Sequence, residues 1–181
     1  QLYFPAEGIN PEHPYWVPEF FGDVILVNGK PWPYMNVEPR RYRLRVVNGS
    51  NARFYSMKLV DATTGLPGPA FWQIGSDGGL LDAPVKLNDP LTVQEPELTL
   101  APGERADLLI GFRGYEGQAL TLVNSANEPF PDGDPAMPSA RELMQFRVGM
   151  TVSGGSDPTL DPATNPPLRT SPIERPARPA V

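Results

Sequence analysis

Proline sets the strongest limit on how this chain folds. There are 24 Pro and 17 Gly among 181 residues, with no collagen-like period. Each Pro removes a backbone donor and turns its predecessor away from the helical region. Long helices are therefore excluded over most of the chain. The stretches left between the prolines and glycines are short and apolar, as in an all-β domain. The hydrophobic fraction, 40 %, suffices for one packed core, and a chain of this length is expected to form one globular domain. Its 15 Lys+Arg against 21 Asp+Glu give a net charge of −6. That balance argues against a nucleic-acid binder, which needs clustered cations. No apolar run approaches the roughly 20 residues of a membrane-spanning helix, so neither nucleic acid nor membrane is expected as a partner. The chain has no Cys and one His, His13, so disulfides and Cys-ligated metals are impossible within it. Any imidazole chemistry would have to recruit His13.

Residues 1–22 are punctuated by Pro5, Pro11, Pro14 and Pro18 and carry Tyr3, Phe4, Tyr15, Trp16, Phe20 and Phe21. They read as an extended arm that packs on a surface. Residues 23–27 are apolar without alternation and predict a strand buried on both faces, with Asn28-Gly29 as a tight turn and Pro31 and Pro33 on an extended edge. Residues 41–47 alternate strictly: Tyr42, Leu44 and Val46 face the core, and Arg41, Arg43 and Arg45 face outward. A second alternating run puts Tyr55, Met57 and Leu59 inward, Ser56 and Lys58 outward. Residues 71–74 form another short strand, followed by a loop over residues 75–79. Pro102-Gly103 fits the centre of a type II turn between strands at 97–100 and 105–112, where Ala106, Leu108, Ile110 and Phe112 share a face. Residues 118–124 continue the series, and Met144, Phe146 and Val148 alternate with Gln145 and Arg147. The long loop between Asn124 and Glu142 exceeds the usual hairpin connection, with a short helical turn expected at 139–143. Beyond Gly154 the chain is polar and Pro-rich; as polyproline II it could reach roughly 70 Å, enough to cross between domains. The pattern predicts a β-sandwich or Greek-key barrel. Pieces such as Tyr3-Phe4-Pro5 next to Gln1 suggest a segment of a longer protein.

Several ordered motifs together resemble one family. Phe21-Gly22-Asp23-Val24-Ile25-Leu26-Val27-Asn28-Gly29-Lys30-Pro31-Trp32-Pro33 is similar to the opening of the second cupredoxin domain of bacterial multicopper oxidases. Val37-Glu38-Pro39-Arg40-Arg41-Tyr42-Arg43-Leu44-Arg45, Asn48-Gly49-Ser50-Asn51-Ala52-Arg53-Phe54-Tyr55 and Gln73-Ile74-Gly75-Ser76-Asp77-Gly78-Gly79-Leu80-Leu81 follow in order. Leu100-Ala101-Pro102-Gly103-Glu104-Arg105-Ala106-Asp107 and Met144-Gln145-Phe146-Arg147-Val148 complete the set. The resemblance is to the spore-coat laccase, bilirubin oxidase and phenoxazinone synthase group. It runs from about Gln1 to Val148 and is weak in the tail. It implies an all-β, cupredoxin-like Greek-key sandwich or barrel with an extended N-terminal arm and a Pro-rich C-terminal tail. The parent would be an exported or cell-surface three-domain oxidase. It would take electrons from phenols or similar reductants at a type 1 copper and reduce O₂ to water at a trinuclear copper cluster, both in the other two domains. The division expected is an interdomain arm at 1–22, the cupredoxin-like domain at 23–150 and an interdomain linker at 151–181.

A blue-copper site uses two His and a Cys thiolate, usually with a weak axial Met; this chain cannot assemble one. Arg53-Phe54-Tyr55-Ser56-Met57 stands where sister domains would carry His, and Ser125, Ala126 and Asn127 stand where a His-Cys-His motif would fall. No catalytic, cofactor-binding or metal-ligating residue is therefore expected. The flanking cupredoxin domains are the expected partners, and the candidate contact residues are Arg41, Arg43, Arg45, Asp77 and Trp16. Against the contact role of the arginines stands a solvated strand face, whose ion pairs contribute only about 0–1 kcal/mol each. Other features have plainer readings. Glu104, Arg105 and Asp107 brace a turn and sheet edge. Residues 75–79 lack the spacing of a phosphate loop. Asp132-Gly133-Asp134 reads as a loop tip, and Asn48-Gly49-Ser50 as a turn although it matches a glycosylation sequon. Trp16, Trp32 and Trp72 read as packing residues. The rival reading, a free-standing β-sandwich that binds a ligand such as carbohydrate, would need these aromatics in an exposed row.

Overall fold

The computed structural model describes residues 19–89, 97–154 and 159–171. The expected arm therefore lies outside the described residues up to position 18, and His13 and Trp16 with it. Two sheets make the body. One holds five strands in the order β3 (Tyr34–Val37), β13 (Glu142–Val148), β10 (Ala119–Asn124), β5 (Tyr55–Asp61) and β8 (Leu98–Leu100). The other holds four, in the order β4 (Arg41–Val47), β9 (Arg105–Gly111), β6 (Phe71–Ser76) and β7 (Gly79–Leu87). Two small ribbons, β1 (Leu26–Val27) with β2 (Lys30–Pro31) and β11 (Asn127–Glu128) with β12 (Asp134–Pro135), hang on the ends. All pairs are antiparallel except β3 with β13. The chain passes back and forth between the sheets, as a cupredoxin-like β-sandwich does.

The core lies between the sheets. Phe71, Phe112 and Phe146 are fully buried. Phe112 stacks obliquely on Phe146 at 5.3 Å and meets Tyr42 edge-on at 5.7 Å, geometries worth about 0.5–1.5 kcal/mol beyond area burial. The alternation expected on β9 is present: Ala106, Leu108, Ile110 and Phe112 are all buried. On β4, Tyr42, Leu44 and Val46 pack against the core from a half-buried position, with Arg43 and Arg45 exposed on the opposite face. The turn at 101–104 closes through Glu104 N–H to the Ala101 carbonyl, 3.0 Å, with Gly103 at φ 85°. That is the type II geometry that needs Gly. It joins no hairpin, because β8 and β9 lie in different sheets.

Three local expectations are corrected. Residues 23–27 are not a buried strand: only Leu26 and Val27 pair, in a two-residue ribbon, and Val24 and Leu26 are exposed while Ile25 alone is buried. An apolar run cannot distinguish a core strand from an apolar surface ribbon. Ser56 lies on the outer face, opposite Thr99 in register, but is not exposed there. It is buried, its hydroxyl 2.8 Å from that of Thr99 and its N–H bonded to Asn124 Oδ1 at 3.0 Å. Side-chain partners on neighbouring strands supply what water would have supplied. The helical turn is a 3₁₀ turn at Pro138–Ala140, and Glu142 already begins β13.

Asn88 closes the core at the end of β7. It is 1 % exposed, accepts from Leu59 N–H at 3.1 Å and donates to the Leu59 and Pro69 carbonyls at 3.0 Å each. Its φ of 54° suits Asn better than Ala. Asn88→Ala is expected to lower unfolding free energy by about 2–4 kcal/mol, since buried backbone groups lose their partner in a strained backbone position. Urea denaturation with an unchanged slope measures it.

Candidate functional site

Three regions outside the core carry the polar and apolar side chains from which a function must be built. The first is a corner where the β4–β5 loop, the turn at 101–104 and the loop after β10 meet. Asn48, 3 % exposed, anchors it. Its Nδ2 donates to the Arg53 and Leu100 carbonyls at 2.8 and 3.0 Å, and its Oδ1 accepts from Ser50 N–H and Oγ. An amide so employed is unavailable to a glycan, so the sequon is a turn. Arg53, 2 % exposed, forms an ion pair with Glu128, donates to the Gly22 carbonyl at 2.8 Å and lies 5.5 Å from the Phe21 ring centroid. Phe54 stacks on Phe130 at 4.6 Å. Burial pushes the Arg53 guanidinium below its ordinary pKa, opposed by Tyr55, and pushes the Tyr55 phenol up. Asn124 Oδ1 meanwhile holds Ser56 and Ala126 N–H, and Ser125 bonds Glu97.

The two stretches that the resemblance sets against metal positions of sister domains, 53–57 and 125–127, are thus brought together, Ser125 N–H donating to the Ser56 carbonyl at 2.9 Å, with Asn124 and Glu128 flanking the junction. The donor set at their junction is a guanidinium, a carboxylate, an amide and hydroxyls. A guanidinium has no lone pair to give, and a blue-copper site needs a thiolate and imidazoles. The residues present do not fit copper. Among the described residues no group of three His, Cys, Asp or Glu side chains could hold a metal, the Asp132–Asp134 tip included.

The second region is the outer face of the four-stranded sheet. Arg43 embraces Asp107 through both guanidinium arms, and this contact raises the Arg43 pKa. Arg45, opposite Asp107 in register, has no ion pair among the described residues. Arg41 is engaged by its own chain, donating to the Thr159 and Leu160 carbonyls at 2.7 and 3.1 Å and lying 3.6 Å from Asp161. Asp77 accepts from Arg105 N–H at 3.0 Å and pairs with its guanidinium at 2.9 Å, and Glu104 braces the turn through Ala101 N–H at 2.7 Å. Trp72 lines a cleft of about 250 Å³ with Arg41, Leu109, Tyr115, Asp161 and Pro162.

The third region is apolar. Val24, Leu26, Trp32 and Tyr34 are exposed along the β1–β2 ribbon and the edge strand β3. Trp32 sits at φ 40°, its indole N–H donating to the Ser139 carbonyl at 3.1 Å, and Arg147 lies 3.7 Å from the Tyr34 ring centroid. Trp32 and Trp72 belong to different parts of the sandwich and form no common row.

Of the sequence-derived contact residues, Arg41, Arg43 and Arg45 share one strand face. Asp77 lies at the turn between β6 and β7, and Trp16 is outside the described residues. Sequence reasoning missed Glu128, Glu38, Asp161 and Arg169. Glu128 meets Arg53, Glu38 meets Ser153, Asp161 meets Arg41 and Arg169 meets Asp82, pairings far apart in sequence that no local spacing signals.

With this geometry in view, the comparisons with known proteins are specific. The chain is 46 % identical over 151 residues to a laccase of Bacillus subtilis, covering 81 % of this chain and 26 % of that protein. It is 39 % identical over 148 residues to the multicopper oxidase LPR1 of Arabidopsis thaliana, covering 81 % and 23 %. The solved structure of the McoA multicopper oxidase of Aquifex aeolicus matches with a TM-score of 0.64 and 36 % identity, over 87 % of this chain and 30 % of that one. No family model matches. The fold is that of a cupredoxin-like β-sandwich domain. The chain belongs to the multicopper oxidases, and it spans about a quarter of the length of the curated relatives it matches.

Two outcomes follow from the corner and its surroundings. Arg53→Ala leaves Glu128 buried without its cation and is expected to cost about 3–5 kcal/mol. The Arg53→Met/Glu128→Leu double variant is expected to cost markedly less than the sum of its singles, as a double-mutant cycle in urea will show. Glu38 is held below the ordinary glutamate range by the Ser153 hydroxyl and N–H and then by Arg40. Asp61 is held down by Thr64 and Thr63, and Glu116 by the Gly114 N–H. Because these folded pKa values lie below the unfolded ones, their stabilisation is present above about pH 4.3 and is lost as pH falls through the folded values. The melting temperature is expected to drop as pH falls below about 4, less steeply in Glu38→Gln.

Proposed function

We propose that this chain is the middle cupredoxin domain of a three-domain, laccase-like multicopper oxidase, and that its work is geometric. It carries no copper of its own and holds the two copper-bearing domains in register. The parent takes electrons from phenols or similar reductants and reduces O₂ to water, with type 1 and trinuclear copper in the flanking domains. The observation that carries this reading is the junction of residues 53–57 and 125–127: the residues flanking it close it through the Arg53–Glu128 pair and the Asn124–Ser56 bond, a structural lock with no ligand set.

A scaffold of this kind has a physical rationale. Tethered domains already meet at millimolar effective concentration, but tethering does not select the faces that meet. A metal site at a domain boundary needs placement within about 0.5 Å, which a rigid spacer supplies. The faces assigned to the neighbours are the exposed part of the arginine strand, with Arg43 and Arg45 at its centre and Arg41 and Asp77 at its margins, and the apolar edge around Leu26, Trp32 and Tyr34. Trp16 in the N-terminal arm is assigned to the same contacts. Residues 1–22 and 151–181 serve as the connecting segments on either side of a domain at 23–150. By the same reading the parent works outside the cytoplasm. No helix among the described residues is long and apolar enough to cross a membrane.

Deleting residues 23–148 from the parent is expected to abolish oxidase activity, and full activity after the deletion would overturn the scaffold reading. The 181-residue chain, incubated with Cu(II) and desalted, is expected to retain well below one copper per chain by mass spectrometry and to show no blue absorption. Tight stoichiometric copper would overturn the copper-free scaffold.

A further inference from the structure

The Pro-rich segment after β13 looks in sequence like a free crossing between domains, yet its described part lies on this domain. At one edge of the four-stranded sheet, Arg41 at the start of β4 grips the Thr159 and Leu160 carbonyls and lies beside Asp161. At the opposite edge, on β7, the Leu168 N–H donates to the Asp82 carbonyl at 2.9 Å. Arg169 donates there to the Leu80 carbonyl at 3.2 Å and lies 3.7 Å from the Asp82 carboxylate. Since β9 and β6 stand between those edges, residues 161–168 must cross both strands. Three strand spacings amount to about 14 Å across the sheet, which seven residues reach even with the 3₁₀ turn at Pro162–Thr164 among them.

The crossing is shaped and not merely draped. Asp161 caps the 3₁₀ turn Pro162–Thr164 by accepting from Ala163 N–H, and Asn165 in the left-handed region ends it. Pro162 is buried. Leu109 lies on β9 between Leu108 and Ile110, which face the core, so it points to the outer face; yet it is only 2 % exposed. Leu109 and Pro162 line the same cleft, which places the segment beside this part of the outer face.

We propose that residues 159–171, within the connecting segment 151–181, are a strap fastened to this domain. It is fastened by Arg41 at one edge and Arg169 at the other, and it carries the chain's exit from the end of β13 to the edge strand β7. The strap divides the outer face. The β9–β6 part is taken by the chain itself, and the Arg43–Arg45 part is left for another surface. The strap rests on the contacts of this chain alone and stands or falls independently of the scaffold role; only the use of the remaining arginine face rests on that role.

Hydrogen exchange read by mass spectrometry on the full 181-residue chain tests it. The Leu168 amide is expected to exchange at least about tenfold more slowly than free peptide, and Arg41→Ala/Arg169→Ala to remove that protection while β10 keeps its own. If the double variant loses β10 protection too, Arg169→Ala alone, an exposed change, takes its place with the same expected loss at Leu168. Free-peptide exchange at Leu168 in the unaltered chain, or protection unchanged in the variant that keeps β10, would overturn the strap.

Discussion

The two sheets are held by aromatic contact across their interface, and every other feature depends on it. Phe71 and Phe112 come from the four-stranded side and Phe146 from the five-stranded side. The Phe112–Phe146 contact sets the spacing at which the remaining leucines and valines interdigitate. Once that seam is closed, each strand has an inner face already decided, and a one-residue slip would expose its whole apolar set. The loops are then free to differ. The corner around Arg53, the apolar ribbon and the covered outer face all lie outside the seam.

Much of this seam can be read from local pattern. The alternation in residues 41–47, 105–112 and 144–148 identifies inner and outer faces correctly, because period two is a property of a few consecutive residues. Pro102-Gly103 likewise announces its turn. What the turn connects cannot be read this way: β8 and β9 flank it closely yet enter different sheets. Ser56 is polar in a strand and reads as solvent-exposed until Asn124 and Thr99 are known to stand beside it. The run at 23–27 is apolar on the surface, where burial cannot be inferred from hydrophobicity alone. Strand β7 carries Pro84 and is not delimited by its sequence; as an edge strand it tolerates a missing donor. The outward arginine face is legible in the alternation of residues 41–47, but the engagement of Arg41 by a carbonyl pair far along the chain is not.

The corner shows how a fold and its chemistry separate. Its backbone brings residues 53–57 and 125–127 together, and the side chains around the junction form a buried ion pair. Such a pair is weak support for net stability, because desolvation offsets most of the attraction, though it can fix register. Here it ties the Glu128 loop to Arg53, which also holds the Gly22 carbonyl at the entry to the domain. The same short region thus joins an incoming segment, a strand corner and a long loop.

The parallel pairing of β3 with β13 has a consequence for synthesis. Tyr34 is among the first residues of the sandwich to leave the ribosome, yet its partner Gln145 belongs to the last strand. Until β13 has emerged, β3 and one side of β10 lack the strand that joins them in the finished sheet. The nascent domain therefore passes through a stage with unfilled strand edges, the condition under which chains associate wrongly. Completion of the five-stranded sheet waits for the last of its strands to be translated.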